Sequence, residues 1–594
     1  MKNFVREVLA SLLALVFGFW ILYQVTLAGL GGPPLLTLPE RAILVLGPDL
    51  LVGDAGDQPS TAAMALEGAP RVLALRKVVA ALDAAAERDA FVGLLLVDGG
   101  PRVSGWAQRF ELRDALERFR DRGKHVWAQA DSWDEASYLL GSVADEIAIG
   151  PLGWFEWNGF SAKRFYFADL LDRLGVRVQV VKVGRYKSAV EPFLRDDMSP
   201  EAREQLAAYL DDLQAEVEER VAEGRKDLEP GDFAALRLGD GFLTAEDAVA
   251  GGWVDRIAAR GDLIGDLASF TGWDDDLDSF RQVSFLDWYD RSGWEPPLAR
   301  HEGGGPLVAV VYAEGEIVDG ESEDQVGGET LARRLRALLH DDDVDAVVLR
   351  VDSPGGSAAA SEVILRALVE LDQAKPVVVS MGSLAASGGY WIACRARLVL
   401  AEPTTLTGSI GVFGLLPDVS PLLDEIGIHV DGVTTGPHAD LLSPYRSRSD
   451  EELAQVQGFV DAIYELFLDH VSEGRGLARE RVAEIGGGRI WSGVDAVELG
   501  LVDRLGGLDE AIAAAAELAG AEGDHYRVEG LEAAPEPWEL AVWSWLGGPP
   551  QPVAALPPSL RAACRAVLDG VGAASRSAPR PPVLARLPFH LEVR

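Results

Sequence analysis

Short apolar runs separated by stretches of helical period recur along almost the whole chain. The clearest runs are residues 42–46, 92–97, 126–130 and 176–183. After a Gly303-Gly304-Gly305-Pro306 linker a second series follows at 307–312, 346–351, 377–381 and 398–401. Short runs that are mainly apolar predict strands, and their alternation with helices predicts an α/β organisation with parallel sheets. One run is different in kind. Residues 8–39 carry no charge and 8–30 are almost continuously apolar, enough to cross a bilayer as a helix. Lys2 and Arg6 precede it, which predicts a cytoplasmic amino end and an external body. A cleaved signal peptide is the other reading, with small residues at Ala28-Gly29 and Gly31-Gly32, but the run is long for one.

The two series repeat each other. Tyr138-Leu139-Leu140-Gly141 precedes Tyr390-Trp391-Ile392-Ala393 by 252 residues, and Pro151 and Leu171-Asp172 precede Pro403 and Leu423-Asp424 by the same offset. AVAGGWVD at 248–255 is echoed by AVELGLVD at 496–503. The chain is therefore read as an internal duplication. Its parts are an anchor and linker at 1–40, a first domain at 41–300, a second at 301–520, and a partly flexible carboxy-terminal extension at 521–594. Within that extension 538–546 reads as an interfacial or packing helix, and 576–582 as flexible.

Candidate chemistry centres on Gly382-Ser383-Leu384-Ala385-Ala386-Ser387-Gly388-Gly389-Tyr390-Trp391, at a strand-to-helix turn. A serine between small residues there can present its hydroxyl uncovered, and helix amides favour negative charge nearby. A closely packed turn is the alternative. The duplication register sharpens the choice. Ser387 corresponds to Glu135, and Lys187 corresponds to Ala439, so one half keeps a serine and the other a lysine. A single composite site where the halves meet explains that pattern. Serine needs a base, and none of the 8 histidines stands beside Ser387 in a motif. Lys187 follows an apolar strand, where burial would lower its pKa; a surface lysine paired with Glu191 or Asp196 is the other reading. Gly355 and Gly356, in Asp352-Ser353-Pro354-Gly355-Gly356-Ser357, can aim amides at a carbonyl oxygen or simply form a turn. Ser409 can hold a lysine amine or satisfy its own backbone.

Composition changes the picture in two places. A net charge of −40 over 594 residues argues against nucleic acid and against a general attraction to anionic lipid surfaces. Two cysteines, Cys394 and Cys564, make no disulfide framework; free thiols are expected, with one bridge in an oxidising compartment as the alternative.

Five segments together resemble the signal peptide peptidase A family in its long, membrane-anchored form. They are YKSAVEPF at 186–193, RDDMSP at 195–200, DSPGGS at 352–357, AASGGYW at 385–391 and TLTGSIGVFG at 405–414. The resemblance covers about residues 40–520 and the anchor; the extension carries no family motif. It implies tandem Clp protease/crotonase-like domains of repeated ββα units after a transmembrane helix, with a Ser-Lys dyad. By matching motif, Ser387 is the nucleophile, Lys187 the general base, Ser409 the residue that orients the lysine, and Gly355 and Gly356 the oxyanion amides. It further implies a homotetramer without metal or organic cofactor, anchored in lipid through residues 8–30 of a bacterial inner membrane, with its catalytic body on the periplasmic side. The expected substrates are cleaved signal peptides and other unstructured hydrophobic peptides. Fold-sharing leaves two alternatives, a membrane protease of the same fold with one specific protein substrate and a crotonase-like acyl-CoA enzyme.

Overall fold

The computed structural model describes residues 36–55, 71–293, 304–322, 324–531 and 583–586. The expected anchor, the 538–546 helix, the 576–582 stretch and Cys564 lie outside these residues. Among the described residues no helix is long and apolar enough to cross a membrane.

Each half is built on six parallel strands in the same order, and the second sheet is widened by Leu406–Gly408, parallel to Val377–Ala386, and by Ile490–Trp491, antiparallel to Leu406–Gly408. The first runs Arg256–Ile257, Glu146–Ile149, His125–Ala130, Phe91–Val97, Ala42–Leu46, Gln282–Ser284. The second runs Arg504–Leu505, Leu398–Ala401, Val377–Ala386, Ala346–Ser353, Leu307–Glu314, Arg527–Leu531. Helices cover the faces, so the central strands are buried on both sides and read as continuous apolar runs rather than alternating ones. Val347 to Val351 and Val377 to Met381 are inaccessible to solvent apart from traces. The predicted strands stand at or within a few residues of their expected bounds.

The duplication extends to the small elements. Trp154–Glu156 pairs antiparallel with Phe242–Thr244, as Leu406–Gly408 does with Ile490–Trp491. The helix Ala168–Arg173 matches Ser420–Glu425 at the 252-residue offset. One expectation needs correction. The second sheet is completed beyond residue 520 by Arg527–Leu531, which lies beside Leu307–Glu314 as Gln282–Ser284 lies beside Ala42–Leu46. Arg527 and Glu529 break the apolar run there, although Tyr526 and Val528 are buried. The extension also contains the strand Val583–Arg586, so it is not uniformly irregular.

Two features lock the halves together. The strand Arg177–Lys182 leaves its own half and pairs antiparallel with Phe413–Asp418 across six residues of register. Its counterpart, 429–434, forms no strand. Nearby, the buried Arg350 guanidinium of the second half meets Asp54 (2.7 Å) and Glu111 (2.6 Å) of the first. Gln108 bridges Asp54 (2.6 Å) to Asp352 (2.8 Å) and accepts from Ser383 (2.5 Å). Burial holds the Glu111 carboxyl up at about 7, against the pull of Arg350, and raises Asp352 well above the usual carboxylate range. Such a group is poor evidence of net stabilisation, but it is costly to break by removing one member.

Candidate active site

The strand Val377–Ala386 delivers Ser387 to the start of the helix Gly388–Ala393. Ser387 sits at φ 58° and ψ −115°, a left-handed conformation that costs a side-chain-bearing residue free energy and is kept only where the surroundings enforce it. Here the Ser387 N–H donates to the Gly408 carbonyl (2.9 Å), and its carbonyl accepts from the Trp391 N–H (2.8 Å). Glycine at 389 is required, because a Cβ would come within 2.6 Å of the Ser353 carbonyl oxygen. The helix start is thereby packed onto the Ser353-Pro354 turn.

Lys187 comes from the first half. The crossing strand carries the chain to Gly184-Arg185-Tyr186-Lys187, where it meets Gly486-Gly487-Gly488 of the second half. The Tyr186 N–H donates to the Gly487 carbonyl (3.0 Å). A side chain at Gly488 would overlap the Lys187 backbone at 2.6 Å or less. Gln205 completes the clamp, donating to the Tyr186 carbonyl (3.1 Å) and accepting from the Ile490 N–H (3.0 Å). The triple glycine was not singled out from the sequence. Its three adjacent small residues were the available signal, but only the contact with another half gives them meaning.

The side chains then converge. Lys187 Nζ donates to Ser387 Oγ (2.7 Å), Ser409 Oγ (3.0 Å) and the Ser409 carbonyl (3.1 Å). Ser387 is 0% exposed, and Lys187 and Ser409 are 1% exposed. Burial alone lowers the lysine pKa to about 7, since removal from water penalises the ammonium. The surface reading of this lysine is overturned: Glu191 instead accepts from Ser199 Oγ (2.6 Å) and from its N–H (3.2 Å). Ser409 likewise does more than close its own turn. It stands at φ 50°, held by its N–H donating to the Arg489 carbonyl (2.7 Å).

Gly355 and Gly356 form a short strand, Gly355–Ser357, rather than a bare turn. Gly355 is at φ 88°, and its N–H donates to Ser353 Oγ at 3.2 Å. Gly356 pairs with Ile317, and a Cβ there would meet the Ile317 carbonyl oxygen at 1.9 Å. Ser353 pairs with Ala385, which sets this glycine strand beside the end of the strand that leads to Ser387. Cys394 is a buried free thiol pushed up to about 12 by burial, unsuited to nucleophilic work. Among the described residues no group of three or more His, Cys, Asp or Glu is placed to hold a metal ion. A buried, half-neutral amine in contact with a hydroxyl at a strained turn can perform acyl transfer.

Comparison with known proteins bears on that chemistry. The model of peptidase family S49 matches residues 118–272 and again 369–522, once in each half. Protease 4 of Salmonella typhi is 41% identical over 416 residues, covering 68% of this chain and 65% of that protein. Protease 4 of Haemophilus influenzae is 35% identical, covering 87% of this chain and 85% of that protein. The chloroplastic serine protease SPPA of Arabidopsis thaliana is 29% identical, covering 70% and 62%. The chain thus spans slightly under two thirds of the Salmonella and Arabidopsis relatives. A ClpP1 mutant from Listeria monocytogenes superposes on 34% of this chain and 94% of its own, with TM-score 0.23 and 16% identity, too loosely to carry an argument.

Proposed function

The chain belongs to peptidase family S49 and is a serine protease, and on that premise we propose that it cuts peptides with a Ser387–Lys187 dyad assembled from its two halves. The observation that carries this reading is the 2.7 Å contact between Lys187 Nζ and Ser387 Oγ, with no carboxylate or histidine taking either atom among the described residues. A pKa of about 7 leaves much of the lysine neutral at physiological pH. Neutral Lys187 takes the Ser387 proton as Oγ attacks a peptide carbonyl. The lysine then protonates the departing amine, and a water deprotonated by the same lysine releases the acyl group. Ser409 holds the amine. The Gly355 and Gly356 amides stabilise the oxyanion, Gly355 exchanging its long bond to Ser353 Oγ for the developing charge.

We assign unstructured hydrophobic peptides as substrates, cleaved signal peptides foremost. The support is the apolar segment at 8–30, which would hold the body at an inner membrane, on its outer side, where such peptides are left. Assembly into a homotetramer is supported by an apolar surface shared by both halves. Phe165, Phe167, Leu170 and Leu174 are exposed on one side, and Ile426, Ile428 and Val433 on the other. The segments meet where the Leu422 N–H donates to the Gly175 carbonyl (3.0 Å). An apolar surface of this kind marks an interaction site. An acyl-CoA enzyme is not the family matched. The test is cleavage of a fluorogenic hydrophobic peptide by wild type and Ser387→Ala, with assembly checked by size-exclusion chromatography. Loss of cleavage in an assembled variant is expected, and activity surviving in Ser387→Ala overturns the assignment. Cleavage of one membrane protein but no free peptide would favour the specific-substrate alternative.

A further inference from the structure

The sheet beside the candidate active site has one position filled from far away in the chain. On one side stand three parallel strands, Val326–Gly327, Ile317–Val318 and Gly355–Ser357. On the other stands the antiparallel pair Phe413–Asp418 and Arg177–Lys182. Val583–Arg586 lies between them, antiparallel to both. Leu584 is opposite Ser357 and Phe413, Ala585 is opposite Gly356, and Arg586 is opposite Gly355.

The first half shows that this position is not intrinsic to the fold. Its equivalent ladder is Arg71–Ala74, Leu50–Gly53 and Arg102–Val103, and it stops there: among the described residues nothing pairs with the outer side of Arg102–Val103. In the second half the same position is a slot one strand wide with an open edge on either side. Two such edges present unpaired N–H and C=O groups to any extended peptide, whatever its side chains.

The walls of this slot belong to the active site. One is the Gly355-Gly356 strand, and the other is backed by the strand that leads to Lys187. The antiparallel direction carries Val583–Arg586 from Ser357 towards Gly355, hence towards the Ser353 turn that pairs with Ala385, two residues before Ser387. This is the path a substrate backbone needs. With the slot filled, Ser387 has no exposed surface.

We propose that the carboxy-terminal segment Val583–Arg586 is an internal occupant of the substrate groove, bound as the missing strand and displaced by peptide substrate. The sequence suits that role. Pro581-Pro582 immediately before it favour an extended backbone. Residues 576–594 hold Arg576, Arg580, Arg586 and Arg594 against Glu592 alone, a basic tail on a chain of net charge −40.

The inference rests on Ser387 being the nucleophile, so its test must separate the two. Labelling of Ser387 by a fluorophosphonate is timed in the full chain, in a chain ending at residue 575, and in Ala585→Pro, which removes one N–H from the ladder without shortening the chain. A groove closed about four-fifths of the time predicts about fivefold faster labelling in both variants. A synthetic peptide of residues 577–594 should slow the shortened chain back to the full-length rate. Equal labelling in all three chains overturns the occupant while leaving the nucleophile in place. No labelling in any chain removes the active-site reading, and the proposal with it. Release of the tail by wild type but not by Ser387→Ala would make the segment a substrate rather than an occupant, and also overturns it.

Discussion

Both halves begin a helix where their third central strand ends, and they place opposite chemistry there. In the first half Asp134 caps the helix, its Oδ1 accepting from the Ser137 N–H (2.8 Å). Glu135 follows, and its carboxylate accepts from the N–H groups of Asn158 (2.7 Å) and Gly159 (2.8 Å). Burial raises the pKa of that carboxyl. In the second half Ser387 starts the helix with no side-chain cap and a left-handed backbone, and its hydroxyl meets a lysine from the other half. The contrast extends one turn further. At the position of Ser409 the first half has Trp157, fully buried against Phe233 at 5.3 Å. One copy fills the site with an indole and staples it with a carboxylate. The other leaves it strained and polar. The first copy has its own cost, since among the described residues the buried Trp157 Nε1 finds no hydrogen-bond partner; on the proposed mechanism the second copy gives up the helix cap and the relaxed backbone, and the first lends it the lysine.

The most severe way to break this comparison is to undo the loan. Ser387→Ala and Lys187→Met should each lower kcat/KM by about 10⁴-fold or more, as expected when members of one catalytic unit are removed singly. Lys187→Met should not lower the melting temperature, because it replaces a buried amine with an apolar chain of similar length. Placing a lysine in the first-half position's counterpart, Ala439→Lys in a Lys187→Ala background, should restore nothing. Ala439 is exposed on a segment that joins no sheet. Recovered peptide cleavage in that double variant would show that the lysine's half of origin does not matter.

Next in size is the contact between the halves. Arg350→Ala leaves Asp54 and Glu111 facing each other without their cation. A buried pair broken from one side costs about 3–5 kcal/mol, to be read as a lowered urea midpoint. Activity and global unfolding should then fall together, because the dyad exists only while the halves are docked. A variant that unfolds in two steps yet keeps full peptidase activity would mean that the site does not depend on this junction.

The pH profile distinguishes the halves by sign. The buried acid at 135 has a raised pKa and the buried amine at 187 a lowered one, and on the proposed mechanism only the amine governs catalysis. Neutral Lys187 is the active form, so kcat/KM should rise with pH to a plateau with its midpoint at about 7. Two units below that midpoint the rate should be about a hundredfold lower. Stability should move in the same direction. Between about 7 and the ordinary lysine value the unfolded chain binds the extra proton, so this group's contribution to stability increases as pH rises. A flat profile from pH 5 to 9 would exclude Lys187 as the base.

Much of this site was legible because the duplication supplied an internal control. Ser387 stood out at its strand-to-helix turn, and the duplication sharpened it and singled out Lys187, each present once where a repeat predicts twice. The strands were legible because parallel sheets covered on both faces leave continuous apolar runs. What escaped was everything decided by contact between distant segments. The Gly486-Gly487-Gly488 clamp has no periodicity of its own. The exchange of Arg177–Lys182 into the other half's sheet reads locally as an ordinary strand. Arg350, Asp54 and Glu111 lie far apart in the chain, and only the fold brings them together, 0–10% exposed against one another. Val583–Arg586 lies in a five-residue stretch between Pro582 and Pro588, too short to signal a strand without the slot that receives it.

The smallest expected effect isolates Ser409, the residue whose first-half counterpart is an indole. Its hydroxyl and its carbonyl both accept from Lys187 Nζ, at 3.0 and 3.1 Å. Ser409→Ala removes one acceptor and keeps the other, so the amine stays aimed at Ser387. A hydrogen bond to a charged group contributes about 1.5–3 kcal/mol, and with the carbonyl still in place the loss in kcat/KM should be near its lower end, about tenfold. The hydroxyl also favours the ammonium form, so its removal should move the acidic limb of the profile to lower pH. The two effects separate positioning from mere packing. A serine that only closed its own turn would leave the midpoint where it is, whatever happened to the rate. A midpoint displaced towards acid, with the melting temperature held, identifies Ser409 as a group that adjusts a proton affinity set in the main by burial, a role for which the first half retains no equivalent.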